Sequence, residues 1–208
     1  MKKIFIAIIS LTAVIAVGLI FNNLFAGLGG GSVIAMALTG YVRTCGLQSG
    51  GGKKLYLIEA PDLTSFTKNV SGEDYTTCTP ATGKVFKQYE FDPDSFEIKE
   101  DVAIENNCMK VTHTLEFYIA KMSDTGRTAV NEIALASACG LVAVAEDNNG
   151  TKWVIGYSQN MAKLRPLELA SSAGATGKKL TDANGYTLKL VSEDNEEMRT
   201  FTGTVPLT

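Results

Sequence analysis

A single histidine, His113, and a single tryptophan, Trp153, stand in a chain of 208 residues. With one imidazole, a His-rich metal site cannot be assembled, and a Ser-His-Asp relay is hard to build. Four cysteines, Cys45, Cys78, Cys108 and Cys139, are widely spaced and form no C-x-x-C pair, which argues against clustered thiolate ligation. Their even number would permit disulfides in an exported chain; small buried thiols in a reducing compartment are the simpler reading. No basic run with interleaved aromatics occurs, so a conventional nucleic-acid footprint is missing. Nor is there the compositional bias of a disordered or fibrous chain, since 45% of positions are hydrophobic and 20% charged.

Charge is low and slightly negative, at −3 overall. Lys2 and Lys3 are the only charges in the first 35 residues, so residues 36–208 carry 17 bases against 22 acids, or −5. An excess of this size is chiefly a statement about solubility. Long apolar runs occur once. Residues 4–21 contain no charge and follow the two lysines, the layout of a signal peptide and just long enough to span a bilayer as a helix. A small-x-small cleavage site is poorly formed there. Residues 1–35, ending in a Gly-rich linker, therefore read in three ways: a leader, a membrane anchor, or an extension upstream of a true start at Met36.

Residues 36–208 read as one β-rich domain of short strands cut by turn residues. Residues 53–60, KKLYLIEA, are apolar on both faces, with Leu55 and Leu57 against Tyr56 and Ile58. Residues 84–91 and 95–101 flank the turn Asp92-Pro93-Asp94. The clearest strand starts at Cys108: Val111, His113, Leu115, Phe117 and Ile119 share one face, and Lys110, Thr112, Thr114, Glu116 and Tyr118 the other. One helix follows, with Val130, Ile133, Ala134, Ser137 and Ala138 at helical spacing, Asp124 or Thr125 as its cap, and Gly140 at its end. Asn149-Gly150 then marks a hairpin. Residues 170–179, rich in Gly, Ala, Ser and Thr, read as a loop before an alternating strand with Tyr186, Leu188 and Leu190. Seven to nine strands and one helix imply a mainly β fold, a β-sandwich or barrel with one flanking α-helix, plus the N-terminal hydrophobic helical segment.

Chemistry is sparse. His113 lies on an apolar strand face, the setting of a satisfied core or interface histidine rather than a general base. Paired carboxylates at Asp92/Asp94, Glu100/Asp101, Glu146/Asp147 and Glu193/Asp194/Glu196/Glu197 sit in or beside turns, where acids are ordinary punctuation. Residues 147–150, DNNG, lack the spaced ligands and distal Glu of a calcium loop. Glycines 50–52 before Lys53-Lys54 lack phosphate-loop spacing and lead into a strand. Asn69-Val70-Ser71 and Asn149-Gly150-Thr151 match the glycosylation pattern, which counts only in an exported chain. No catalytic, cofactor-binding or metal-binding constellation is found.

The ordered series TCGLQSGGGKKLYLIEA, KQYEFDPDSFEIKED, the long alternating strand, the helix, LVAVAEDNNGTKWVIGY and TGKKLTDANGYTLKLVSEDNEE resembles a family of small virion structural proteins of tailed phages of Bacteroidetes, taken to be tail tube or major tail proteins. The resemblance runs over residues 36–208. It implies a homo-oligomer, commonly a hexameric ring, that stacks into a tube with other phage tail proteins as partners and DNA as transient cargo of the lumen. It also implies a virion protein assembled in the host cytoplasm, with no enzymatic activity. Two apolar faces on one strand suit lateral pairing between subunits, and the acidic balance suits a lumen that does not hold DNA. Residues 1–35 depart from that family. The alternative is an exported or membrane-anchored surface β-domain for binding or adhesion, with membrane contact only through residues 4–21. A hydrolase would need a site built from scattered acids. Inter-subunit contacts are expected from Lys53 and Lys54, from the hairpin tip Asn148, Asn149 and Gly150, and from Gly174, Thr176 and Lys178.

Overall fold

Strand β1 (Gly52–Glu59) has no solvent-facing side along its centre: Leu55 and Leu57 are buried on one face, Tyr56 and Ile58 on the other. Its neighbour β7 (Leu141–Asp147) repeats the pattern, with Leu141, Ala143 and Ala145 against Val142 and Val144. Such continuous apolar runs require cover on both faces. The computed structural model describes residues 40–41 and 47–207, and residues 47–207 fall within one compact unit, Leu47–Thr208. The hydrophobic segment at residues 4–21, expected to be helical, lies outside the described residues.

β1 and β7 are the inner strands of a five-stranded sheet ordered β11-β8-β7-β1-β4, formed with β4 (Lys87–Glu90), β8 (Lys152–Ile155) and β11 (Arg199–Thr200). One face packs on a four-stranded sheet ordered β5-β6-β10-β9, made of β5 (Phe96–Glu105), β6 (Cys108–Ala120), β9 (Glu168–Ala175) and β10 (Gly185–Asp194). Leu55, Leu57, Phe96, Leu115, Leu188 and Ile155 meet in that core. The other face is covered by the hairpin β2 (Leu63–Lys68) and β3 (Tyr75–Pro80), joined by Phe86, Phe201 and Val205. The molecule is thus mainly β and sandwich-like, with three sheets in layers around two cores. The second apolar face of β1, expected to mark contact between subunits, is instead buried by the chain's own β2–β3 hairpin, a pair that the sequence reading had not resolved into strands.

Among the described residues, one α-helix, α1 (Asp124–Ser137), packs beside β9 and β10 and contributes Ile133 to the first core. Its cap is Ser123, one residue before the expected Asp124: the Ser123 hydroxyl accepts from the Gly126 amide at 3.2 Å. Gly140 follows with φ +82°, as expected at the end of a helix. Ala138, expected on the buried stripe, is exposed at the C-cap.

Two other expectations change. Residues 168–175 form β9, paired along β10, and only residues beyond 175 make a loop. Small residues suit this strand because its neighbour supplies the bulk: a Cβ at Gly174 would come 2.9 Å from the Tyr186 ring. The β7–β8 turn is centred on Asn148 and Asn149, closed by Gly150 N donating to Asp147 O at 3.1 Å, with Gly150 following at φ +85°. That is a turn followed by a left-handed glycine rather than a two-residue Asn-Gly turn. Within β1, Gly52 is required by packing, since a Cβ there would sit 2.2 Å from the Phe96 ring.

Urea denaturation should separate these roles. Leu115→Ala is expected to cost about 2–5 kcal/mol and Gly52→Ala roughly 1–3 kcal/mol. Leu135→Ala, at a position 67% exposed, should stay within about 0.5 kcal/mol.

Candidate functional site

The residues expected at subunit contacts fall into two groups. Lys53 and Lys54 lie on β1, not in a loop. Lys54 faces Glu90 across the β1–β4 ladder, with Nζ 3.1 Å from Oε1, and the hydrogen bond to Glu90 raises its pKa. The tip at Asn148 and Asn149 folds back on residues 49–51. Asn148 Nδ2 donates to Gly50 O at 2.6 Å, and Asn149 Nδ2 to Ser49 O at 2.9 Å. The structure therefore brings the tip and the start of β1 together, with both side-chain amides occupied. Gly174 lies in β9, while Thr176 and Lys178 occupy the exposed loop after it. That loop is braced: the Asp182 carboxylate accepts from the amides of Lys178 (2.8 Å) and Lys179 (2.9 Å), which lowers its pKa.

The four-stranded sheet carries two features that the sequence reading missed. Its edges are long. β5 has ten residues and β9 eight, whereas the edges of the five-stranded sheet, β11 and β4, have two and four. Short edges are a common defence against unwanted pairing; β9 is long, and from Leu169 to Ala175 it holds no charge and no proline, with one irregularity where Lys189 faces Ser171 and Leu190 faces Leu169. The β5–β6 hairpin also outruns the layer above it. It turns at Asn106-Asn107, both at positive φ (50° and 64°), the two-residue mirror-image turn that matches strand twist. Opposite the fully buried Val111, Val102 is 50% exposed, and one step further out Ile104 is 78% exposed.

Just inside that arm the core-facing row becomes polar. Glu100, His113 and Ser192 stand side by side in register on β5, β6 and β10. His113 Nδ1 is 3.3 Å from Ser192 Oγ, and Nε2 is 3.2 Å from Glu100 Oε2, though off the line of a formed hydrogen bond. Glu100 Oε2 also accepts from the Met198 amide at 2.6 Å. The order serine, histidine, acid is that of a nucleophilic relay. Ser192 is only 3% exposed, however, so a substrate has no approach to Oγ, and the row acts as an interior strut. Beside it, Arg199 pairs with Glu196 and Glu73, tying β11 to the β2–β3 loop; Arg199 and Lys68 hold Glu73 down to about 2.

Other chemistry is thin. An open groove of about 500 Å³ between α1 and the β1–β4 pair is walled by Leu57, Tyr89, Ile133 and Leu135 and contains no histidine, cysteine or serine. Cys78 is buried, and burial pushes its thiol up to about 12; Cys108 and Cys139 are exposed and free. Among the described residues, no three His, Cys, Asp or Glu side chains gather to hold a metal ion, and no helix is long and apolar enough to cross a membrane. No protein-family model, no curated protein and no solved structure matches this chain.

His113 gives a pH signature. Burial lowers its pKa below the ordinary 6.5, against the opposing pull of Glu100 and Asp194 and of the Glu196 backbone; Arg199 stands close by on Glu196. The unfolded chain thus takes up the proton first, so stability is complete above about pH 6.5 and falls as pH drops through that value. Denaturation midpoints between pH 7 and 5 should show this decline, and His113→Gln should flatten it.

Proposed function

We propose that this chain is a structural subunit of a phage tail, a tube-forming protein whose copies join edge to edge into rings around a DNA conduit. The observation that carries this reading is the pair of long open edges on one sheet. In the order β5-β6-β10-β9 every neighbouring pair is antiparallel, so four strands alternate in direction. Rotating a second copy beside the first brings β9 against the next β5 in an antiparallel sense, and the ladder continues unbroken. Such a heterologous contact repeats until rotation closes it, as in a six-membered ring.

The outward face of the same sheet supports the conduit. It presents Glu97, Asp101, Glu105, Glu116 and Glu193 against Lys99, Lys110 and Lys189. A lumen lined by this face attracts phosphates weakly, and passing DNA would not be held. The scaffold needs no reaction centre for this work.

Negative-stain electron microscopy of the full chain, purified in mild detergent, should show closed rings with a central hole. Monomers at every concentration would overturn the reading. Ser172→Pro and Ala173→Pro form a matched pair of edge variants, because adjacent strand residues turn their amides to opposite sides. The variant that keeps the wild-type circular dichroism and melting temperature should abolish rings.

A further inference from the structure

The hydrogen-bond pattern of the four-stranded sheet decides which backbone groups face each open edge. Tyr118 N donates to Ser95 O at 2.9 Å, and bonded pairs recur every second residue from there: Glu97 with Glu116, then Lys99 with Thr114. Ile98 and Glu100 therefore turn their N–H and C=O groups to the open side of β5. Lys121 N donates to Asn184 O at 2.6 Å, so Tyr186 and Leu188 bond to β6, while Gly185 and Thr187 bond to Ala175 and Ala173. On β9 the free backbone groups thus belong to Ser172 and Gly174. Ile98, Glu100, Ser172 and Gly174 all stand on the core-facing side of the sheet, because its strands are even in number. The two edges can meet with that face continuous.

Ring closure then restricts how far one copy slides along the next. A closed sheet tilts its strands by roughly 35–45° to the ring axis. Four strands about 4.8 Å apart require a shift per copy of about 13–19 Å, or roughly four to six residues, whatever the ring size. Only an even shift keeps core-facing residues opposite one another, so about four or six residues remain. Chirality sets the direction. The β5 residues that bond to β6 point outward, which for L-residues puts β6 on the right of an upward β5 seen from that outer face. With that face toward the conduit, the right-handed coil of the strands brings β9 against a later part of the next β5, not an earlier one.

Ser172 lies level with Phe96, through Leu188 and Phe117. A shift of about four residues sets its hydroxyl opposite Glu100, whose carboxylate-bearing side chain is 24% exposed. The same shift sets Ile98 opposite Gly174, beside the Tyr186 ring. A shift of about six would set Glu100 against Gly174 and Ser172 against Val102, matching neither pair chemically. We infer that neighbouring copies join in one register, Ser172 opposite Glu100 and Gly174 opposite Ile98, and that Ser172 is the residue that selects it. Its hydroxyl donates to Glu100 of the next copy and carries the row of Glu100, His113 and Ser192 across the join. The inference rests on the ring reading and adds the register to it.

Cysteine pairs on the exposed outer face test the register. In it Ala173 stands opposite Lys99 of the next copy as a non-hydrogen-bonded pair, with Cα atoms about 4.5 Å apart and within disulfide reach. Within one copy, two strands separate β5 from β9 by about 14 Å, which forbids the bond. Full chain with Cys45→Ser, Cys108→Ser and Cys139→Ser should therefore carry Lys99→Cys and Ala173→Cys as a linking pair. Oxidised with copper phenanthroline, it should give a covalent ladder on non-reducing gels that ends at the ring size. Ala173→Cys combined with Glu97→Cys or Asp101→Cys should link at least tenfold less. Ser172→Asp, which sets a second carboxylate against Glu100, should raise the concentration needed for rings at least tenfold at an unchanged melting temperature. Adding Glu100→Gln should restore assembly. Preferential linking through Glu97→Cys or Asp101→Cys, rings without links from any pair, or rings indifferent to Ser172→Asp would overturn the register and leave the rings standing. Wild-type chain that stays monomeric and variants that never link would overturn both.

Discussion

The central sheet must be covered twice, and the rest of the molecule follows from that demand. β1 and β7 find backbone partners on either side and present apolar side chains above and below, so water can be met only at their ends. One cover is the four-stranded sheet. The other is assembled from distant pieces: the β2–β3 hairpin, Phe86 and the C-terminal segment. Backbone bonds stitch these together, with Phe201 N donating to Lys152 O (2.8 Å), Thr202 N to Tyr75 O (2.9 Å) and Phe86 N to Pro206 O (3.0 Å). Phe66, Tyr75, Tyr157 and Phe201 pack ring against ring inside, with centroids 5.2–5.8 Å apart. Burial pushes the Tyr75 hydroxyl upward, with Glu196 close by adding to the shift.

The covering sheet is longer than the sheet it covers, and the consequences gather at its free end. Where the two layers stop overlapping, the Phe and Leu rows of β5, β6 and β10 give way to Glu100, His113 and Ser192. A neutral histidine suits that boundary: it spans from hydroxyl to carboxylate without placing an extra charge in the core. Beyond it the hairpin continues with Val102, Ile104 and Met109, which have cross-strand neighbours but remain 41–78% exposed. Open edges and a bare arm are liabilities for a monomer.

Particular residues show what could be read in advance. The alternation from Val111 to Ile119 specified a strand, its buried face and the burial of His113, because one face of a pleated sheet repeats every second residue. Ile133 and Gly140 located the helix through spacing and left-handed geometry. The β9 strand was illegible because Ser171, Ser172, Ala173 and Gly174 have weak strand preference and gain their pairing from β10. Asn106-Asn107 did carry a turn signal, flanked by two alternating runs, and would have revealed the arm. Glu100, His113 and Ser192 each break an apolar alternation, but their meeting depends on register across three strands.

By itself the sequence determined the mainly β class, the single flanking helix, the faces of the long strand and the scarcity of reactive groups. Those are local properties, set by side-chain period, turn chemistry and composition. Only the tertiary structure decided that the second apolar face of β1 is covered from within, that the small-residue segment is an open edge, and that one hairpin extends past its cover. Each of these depends on which distant segment lies opposite, and burial is a property of the pair rather than of either segment alone.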